Sequence, residues 1–423
     1  MSLKVIELND GGIKIGSADG IVAESPGFAI VFGDSLVLGS HAEEQARLHP
    51  TASYNKYWHE LSVEALNHGN YLRHSADIAY AHLLHLAEIG EIDAETIFVM
   101  PSSYNHQQLA ILLGIAKQSP IEPVGVVDTA VLAAFSAGVS SSALYLDFQL
   151  HQVVITQLAV SDGQVHSESV VQIPGVGSQN FVNLMMQEAT NSFIEQCRFN
   201  PQHNAEYEQL LYNQLPAWLV QYNESQTNLV LELKTRDATH TAKLPKEGLI
   251  ESLQGYYRKI RQELAPLIED GNTHIILNKK LGAMPGFLAS LPSGARKVVL
   301  EPDGICKACF ENVDHIVHHS GAIHWVKSLP IKSNAQPPLT DASEELTPTH
   351  FLRANVAIPL QGLSQYCADS TISNADASVI FDSKTDYALN DKTVSGKQPL
   401  RLGDSLRFEP DQESMHVIRV SNV

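Results

Sequence analysis

Between residues 77 and 138 the chain alternates helical and strand-like runs in an order that only a sheet flanked by helices accommodates. "DIAYAHLLHLAEIGEI" (77–92) carries apolar residues at helical spacing, and "TIFVMP" (96–101) follows as a buried strand. "NHQQLAILLGIAKQ" (105–118) is again helical, "EPVGVV" (122–127) is a strand, and "DTAVLAAFSAG" (128–138) is a helix with an Asp N-cap and a terminal Gly. Upstream, "LKVIEL", "GGIKIG", "GIVAES" and "FAIVFGDSLVLG" within residues 3–40 read as an antiparallel meander with Gly-rich turns. A meander joined to a β-α-β-α-β succession gives a mixed sheet with helices on its faces.

The second half runs on similar lines. A hairpin spans 143–171, helices cover 180–196 and 205–220, a strand pair covers 228–244, and a long helix runs from 246 to 269. Then come a strand at 274–278, a helix near 285–291, a strand at 295–301 and a helix from Pro302. At 423 residues the chain exceeds the ~250–300 residues at which single cores stop growing, so two lobes and an appendage are expected. The first lobe occupies about 1–140, with the second lobe's hairpin reaching 171. The second lobe fills 141–330, with an insertion near 180–245. Residues 331–349, rich in Pro, Ser and Asp, read as a linker, and 350–423 as a small all-β domain.

The net charge of −19, from 47 acids and 28 bases, opposes a nucleic-acid partner, whose binding needs clustered Lys and Arg. The opening "MSLKVIELNDGG" lacks an apolar signal core, and there is no run of about 18 apolar residues to span a bilayer. Four cysteines are too few for a disulfide framework. The expectation is a cytoplasmic protein without a membrane partner.

Two β-meander-plus-helix lobes, each with an acid at a hairpin, resemble the two-lobed actin-like ATPase (ribonuclease H-like) fold. Four segments sharpen the likeness to the nucleotide-binding domain of DnaK-type, heat-shock 70 chaperones. "VMPSSYNHQQLAILLGIAKQSPIEPVGVVDTAVLAAFSAG" (99–138) resembles the stretch from V-P-A-x-F to N-E-P-T-A-A-A-L-A-Y-G, and "LVLGSHAEEQARLHP" (36–50) resembles G-x-x-A-x-x-Q-x-x-x-x-P. "PGVGSQNFVNLMMQEATNSFIEQ" (174–196) looks like the turn and helix after the second phosphate loop. Residues 257–291 look like the helix and strand leading to the adenosine loop. The resemblance implies ATP or ADP with Mg²⁺ in an interlobe cleft, phosphate held by backbone N–H groups of Gly-rich turns, and acids at the strand ends.

The loops depart from that pattern. Where the family has D-L-G-G-G-T, this chain has "DFQLHQ" (147–152), so Asp147 keeps the acid while Gln149, Leu150 and His151 replace glycines. In the first lobe D-L-G-T-T becomes "ELNDG" (7–11), with Glu7 at the acid and Asn9 at the first glycine. Asp10 stands where a hydroxyl would help bind phosphate, and its charge would cost a polyphosphate on the order of 4 kcal/mol at about 4 Å. Gly11, Gly12 and Lys14 are retained, a spacing similar to actin's. The adenosine loop's G-G-x-x-x-x-P becomes "KKLGAMP" (279–285), placing Lys279 and Lys280 under the base, with Gly282 nearby. The adenine-clamp positions fall on Leu215, Trp218 and Leu219, and the hydrolytic lysine falls on Trp58. Trp218 could stack on a base, Lys279 and Lys280 could hold a phosphate, and Gly175 and Gly177 in "GVG" could cradle one.

Each assignment has a plainer counterpart. Asp147 is either a metal-water ligand or a strand-end residue bonding a neighbouring turn. Asp128 stands for a catalytic Glu of the family, yet N-capping of helix 128–138 explains it better. Cys306 and Cys309 with His315, His318, His319 and His324 use a zinc vocabulary, but "PDGICKACFENV" also reads as a helix whose small thiols pack inward. His74, His82 and His85 read as the polar face of one helix. In the last module, "PLRLGDSLRF" (399–408) resembles the strand, Gly-Asp turn and strand of forkhead-associated domains, without that family's phosphothreonine-binding residues.

The expectation is a chaperone-like or regulatory interaction protein whose degenerate cleft binds ATP weakly or not at all. Its protein partners would be met in part through the carboxy-terminal module. The alternatives are an active Mg-ATPase using Glu7, Asp128 and Asp147, and a small-metabolite kinase of the same fold. No residue of the sequence stands out as that kinase's hydroxyl-activating base.

Overall fold

The computed structural model describes residues 3–331, apart from 34, 66–72, 93–94, 221–226, 269–272 and 318–322. It also describes residues 348–418, apart from 354–355, 361–369, 376–377, 391, 402 and 409–413. Most of the expected linker, together with Cys367, His318 and His319, lies outside the described residues. The chain forms two compact units, Met1–Ser333 and Asn334–Val423, and is a mixed α/β protein.

The first unit opens with β1 (Lys4–Glu7), β2 (Ile13–Ser17), β3 (Gly20–Ser25), β4 (Ala29–Phe32), β5 (Ser35–Leu38), α1 (Ser40–Glu43) and β6 (Ser53–Tyr54). It continues through α2 (Ser75–Ile89), β7 (Glu95–Met100), α3 (His106–Ala116), β8 (Glu122–Asp128) and α4 (Thr129–Ser136). The next stretch holds β9 (Ala143–Phe148), β10 (Gln152–Ser161), β11 (Gln164–Pro174), α5 (Ser178–Cys197), α6 (Ala205–Val220), β12 (Asn228–Lys234) and β13 (Thr239–Pro245). It ends with α7 (Lys246–Leu264), β14 (His274–Leu277), α8 (Lys279–Gly282), α9 (Phe287–Ser290), β15 (Arg296–Val299), α10 (Gly304–Glu311), α11 (Val313–Ile316), β16 (Trp325–Val326) and β17 (Ser328–Pro330).

Two six-stranded sheets follow one plan. The first has the order β16-β8-β7-β1-β2-β3 and the second β15-β14-β9-β10-β11-β17. In each, the leading strand is antiparallel to the next one in the chain and parallel to a later one. Val5 faces Gly16 of β2 and Ile97 of β7, while Leu146 faces Ile155 of β10 and Leu277 of β14. The leading strands are buried on both faces, which is why "ALYLDF" reads as an almost continuous apolar run and Val5 and Ile6 of "KVIE" are both apolar. Helix α4 lies in a core that draws on both sheets, with Val5, Val99 and Val127 from one and Tyr145, Leu158 and Ile276 from the other.

Local chemistry sets the helix ends. Asn105 and Gln108 form a reciprocal capping box at α3, and Asp128 caps α4 through the Ala130 N–H. The helix expected over 246–269 stops at Leu264 and tightens into a 3₁₀ turn over Ala265–Leu267, where Pro266 has no N–H to continue it. The expected helix near 285–291 shrinks to α9.

The run 28–39 departs from the expected meander. β4, β5 and β6 make their own three-stranded sheet, because Phe28 and Ile30 bury against Ala42, Ala46 and Leu150. Among the described residues no helix is long and apolar enough to cross a membrane.

The second unit is a seven-stranded antiparallel sheet: β18 (His350–Arg353), β19 (Val356–Pro359), β20 (Ser370–Ala375), β21 (Ser378–Leu389), β22 (Lys392–Leu400), β23 (Ser405–Arg407) and β24 (Met415–Ile418). Phe351, Phe381, Tyr387 and Leu406 fill its core. Between β22 and β23 the chain turns at Gly403, whose φ of 89° suits a residue without Cβ, and Asp404 accepts the Arg401 N–H.

Candidate functional site

The ends of β1 and β9 meet, which brings Glu7, Asn9 and Asp10 of one hairpin against Asp147, Gln149 and Leu150 of the other. Asn9 joins the two, donating from Nδ2 to Asp147 Oδ1 at 2.8 Å and to the Phe148 carbonyl at 3.2 Å. Gln149 Nε2 donates to Asp147 Oδ2 at 2.8 Å, and Gln152 Nε2 donates to Gln149 Oε1 at 2.8 Å. Lys14 Nζ pairs with Glu7 at 3.1 Å. Burial works against the Lys14 ammonium, but Glu7, then Glu24 and Asp147, outweigh it and hold its pKa above the ordinary lysine value. Burial, helped by the Glu7 charge, pushes Asp147 up to about 6 against the pull of Gln149, Asn9 and Lys14.

The loop after Asp147 is filled by the chain's own groups. Leu150 N–H donates to Asp10 Oδ1 at 2.7 Å, and the Leu150 side chain is 4% exposed, seated among Phe28, Ile30, Ala42 and Ala46. His151 Nε2 meets the Asn55 carbonyl at 2.8 Å. At the start of α5 the Ser178 and Gln179 N–H groups donate to the carbonyls of Gln149 and Leu150, at 2.9 and 3.0 Å. Gly175 N–H donates to the His151 carbonyl at 3.0 Å, and Gly177 N–H to Asn180 Oδ1 at 3.1 Å. Helix-start donors that could face an anion are thus consumed internally.

Gly175, Gly177, Gln149 and His151, expected to meet a phosphate, are thus engaged with the chain's own groups. Gly177 is needed for another reason: a Cβ there would collide with the backbone of His151 and Gln152. Leu150→Ala is expected to cost about 2 kcal/mol, the low end for a buried leucine, because a plugged cavity opens. Urea unfolding checks it, and an unchanged midpoint would contradict the seating described.

The turn between β1 and β2 is likewise occupied. Gly11 N–H donates to Asn9 Oδ1 at 2.9 Å and Gly12 N–H to the Asn9 carbonyl at 2.8 Å. Lys280 does not rest in an open loop under a base. It reaches across to the Gly11 carbonyl at 2.8 Å and to Glu24 at 2.7 Å, while exposed Lys279 lies 3.7 Å from Glu301. Both lysines sit in the short helix α8, which Asn278 caps through the Leu281 N–H, and Gly282 backs onto Val299.

Trp218, expected as a stacking platform, is 4% exposed and packs in the core of α5, α6 and α7, 6.3 Å from the Phe193 ring. Asp128 caps α4 and accepts from Ser102 Oγ at 2.7 Å. Burial raises it to about 6, and its Oδ2 has no partner among the described residues.

Cys306 and Cys309 are buried in α10, and burial raises both thiols. Among the described residues no three His, Cys, Asp or Glu side chains gather as a metal site would need.

His82 is not on a polar face. It is 0% exposed, with Nδ1 accepting from Trp58 Nε1 at 3.0 Å and from the Tyr57 hydroxyl at 2.7 Å, and Nε2 2.8 Å from Ser25 Oγ. Because an indole N–H only donates, Nδ1 is the acceptor and Nε2 carries the hydrogen. The signal was present in the spacing, since His82 falls on the stripe of Ile78, Ala79, Leu83 and Leu86.

Two cavities flank the meeting point. One of about 300 Å³ touches Lys14, Tyr145, Phe148, Lys279 and Ile305. The other, of about 250 Å³, touches Asp10, Trp58, Tyr104, Gln149 and Gln152. No protein-family model matches this sequence, and no curated protein compared with it matches either.

Proposed function

We propose that this chain is a two-lobed actin-like protein, similar to DnaK-type nucleotide-binding domains, that serves as a chaperone-like or regulatory interaction protein rather than an ATPase. Supporting the fold reading, the two sheets share one plan and their leading strands end in the facing acids Glu7 and Asp147. One observation carries the functional reading: the N–H groups of Gly175, Gly177, Ser178 and Gln179 are taken by the chain's own oxygens, and Leu150 is seated against Phe28, Ile30, Ala42 and Ala46. A polyphosphate entering there would have to displace those bonds.

A thermal-shift titration with ATP, ADP and Mg²⁺ tests this, because a ligand at a hundred times its dissociation constant adds about 2.7 kcal/mol of stability. No shift is expected at millimolar nucleotide. The second reading, an active Mg-ATPase, draws on the cavity of about 300 Å³ beside Lys14, Lys279 and Lys280. A Mg²⁺-dependent shift that Asp147→Asn abolishes would establish it and overturn the first.

A further inference from the structure

The hairpin of β12 and β13 has two edges in different states. The Thr227 carbonyl accepts from the Lys246 N–H at one end, and the Thr235 N–H donates to the Ala238 carbonyl at the other, which sets the phase of the ladder between them. In an antiparallel pair, bonded and non-bonded positions alternate along each strand. Leu229, Leu231 and Leu233 therefore turn their N–H and C=O groups to β13, and Asn228, Val230, Glu232 and Lys234 turn theirs outward. On β13 the outward groups are covered. Gln196 of α5 accepts from the Lys243 N–H at 2.9 Å and donates to the Lys243 carbonyl at 2.8 Å, and Cys197 Sγ donates to the Thr241 carbonyl at 3.1 Å. On β12 the outward N–H and C=O groups have no hydrogen-bond partner among the described residues.

The side chains follow the same division. Leu229, Leu231 and Leu233 bury in the core under the hairpin, while Val230, at 52% exposure, Glu232 and Lys234 lie on the outer face. Neither Glu232 nor Lys234 has an ion pair among the described residues. A strand edge with unpaired groups is a template for another strand. A second copy of β12 fits it poorly. The antiparallel register that sets Glu232 opposite Lys234 of the copy overlaps within the strand only at residues 232–234, and the register centred on Glu232 opposes like charges. The register of fullest overlap leaves both charges opposite uncharged residues.

We infer that the β12 edge binds an extended segment of a partner protein by strand addition, in antiparallel register. Main-chain bonds to Val230, Glu232 and Lys234 supply the attachment, and their side chains choose the sequence. The complementary segment carries an acid opposite Lys234, a base two residues on opposite Glu232, and a β-branched apolar residue two further on opposite Val230. Opposed Cβ atoms lie ~4.5–5.5 Å apart, close enough for each of these pairs to form. None of these residues belongs to the hairpins around Asp147, so binding here and nucleotide binding there succeed or fail independently.

Fluorescence anisotropy of a labelled Thr-Asp-Thr-Lys-Thr-Val-Thr peptide titrated with the full chain tests the proposal. Saturable binding is expected, and it should weaken about tenfold for Thr-Lys-Thr-Asp-Thr-Val-Thr, in which two attractive cross-strand pairs become repulsive. The double substitution Glu232→Lys with Lys234→Glu, at exposed positions, should reverse that preference. Val230→Pro removes one outward N–H without touching the ladder to β13, a position where edge strands tolerate proline, and should abolish binding while circular dichroism stays unchanged. Should that variant fail to fold, the charge exchange decides alone. No saturable binding of either peptide, equal affinity for both, a preference that the double substitution leaves unchanged, or undiminished binding by folded Val230→Pro would overturn the proposal. So would self-association of the chain in sedimentation equilibrium that Val230→Pro removes, since the edge would then belong to a second copy.

Discussion

Asp10→Asn should make the protein more stable at pH 8, by up to on the order of 4 kcal/mol, and leave it almost unchanged at pH 4. Burial above all, with the Asp147 charge adding to it, lifts the Asp10 carboxyl from its ordinary 3.8 to about 7, and the N–H groups of Leu150 and Gly11 recover only part of that. The folded chain therefore holds a proton at Asp10 that the unfolded chain has released between about pH 4 and 7. Where the native state binds the extra proton, stability falls as pH rises, and above pH 7 the full cost of the ionised group is present. Asparagine never ionises, keeps an oxygen for the Leu150 N–H, and removes that cost. Tyr57 and Tyr104, which also feel Asp10, stay neutral throughout this range, because burial above all, with the Asp10 charge adding to it, holds both hydroxyls above their ordinary value, whereas Asp147, raised to about 6, is the neighbour that titrates alongside Asp10. Denaturant unfolding of both forms at pH 4 and pH 8 measures the difference. A gain equal at the two pH values, or a loss at pH 8, would contradict the assignment.

His82→Leu is expected to destabilise the chain by about 3 kcal/mol or more at pH 7, because the Trp58 N–H and the Tyr57 and Ser25 hydroxyls lose their shared partner inside the core. Burial, reinforced by His85, depresses the His82 imidazole to about 3, so it stays neutral in the folded state. A depressed imidazole makes the native state lose stability as pH falls from about 6.5 toward 3, since only the unfolded chain takes up the proton. Leucine does not share that loss. The destabilisation by His82→Leu should therefore shrink between pH 7 and pH 5, read as converging midpoints in urea. A constant difference would show that the ring acts by volume alone.

Much of the architecture was legible because period and punctuation are local. The alternation in "YLDFQLHQVVITQLAV" and the Asp, Asn and Gly residues at helix ends sit next to the elements they define, and residues 77–138 form the helices and strands that their spacing predicts. What spacing does not carry is where a side chain goes after long-range packing. Leu150 reads as a lost glycine, yet it is an apolar plug for residues 28–46, more than a hundred positions away in the chain. Trp218 reads as a stacking platform until α6 turns it into the core, and Lys280 as a phosphate ligand until Glu24 claims it. Polar residues in the loops are ambiguous in a sequence, because a glutamine can face a ligand or complete an internal network. Gln149 does the latter, joining Asp147, Ser103 and Gln152.

The seating of Leu150 also sets a toll on any anion that approaches the turn between β9 and β10. Admission would require the leucine to leave its apolar nest and re-enter water, which at about 2 kcal/mol confines the vacated form to roughly 3% of molecules. The apparent affinity of such a ligand would fall by the same factor of about thirty, even before the occupied N–H groups are counted. A partner that grips residues 28–46 and draws Leu150 out would lift that handicap, so accessibility of this turn is coupled to whatever touches the small sheet of β4, β5 and β6.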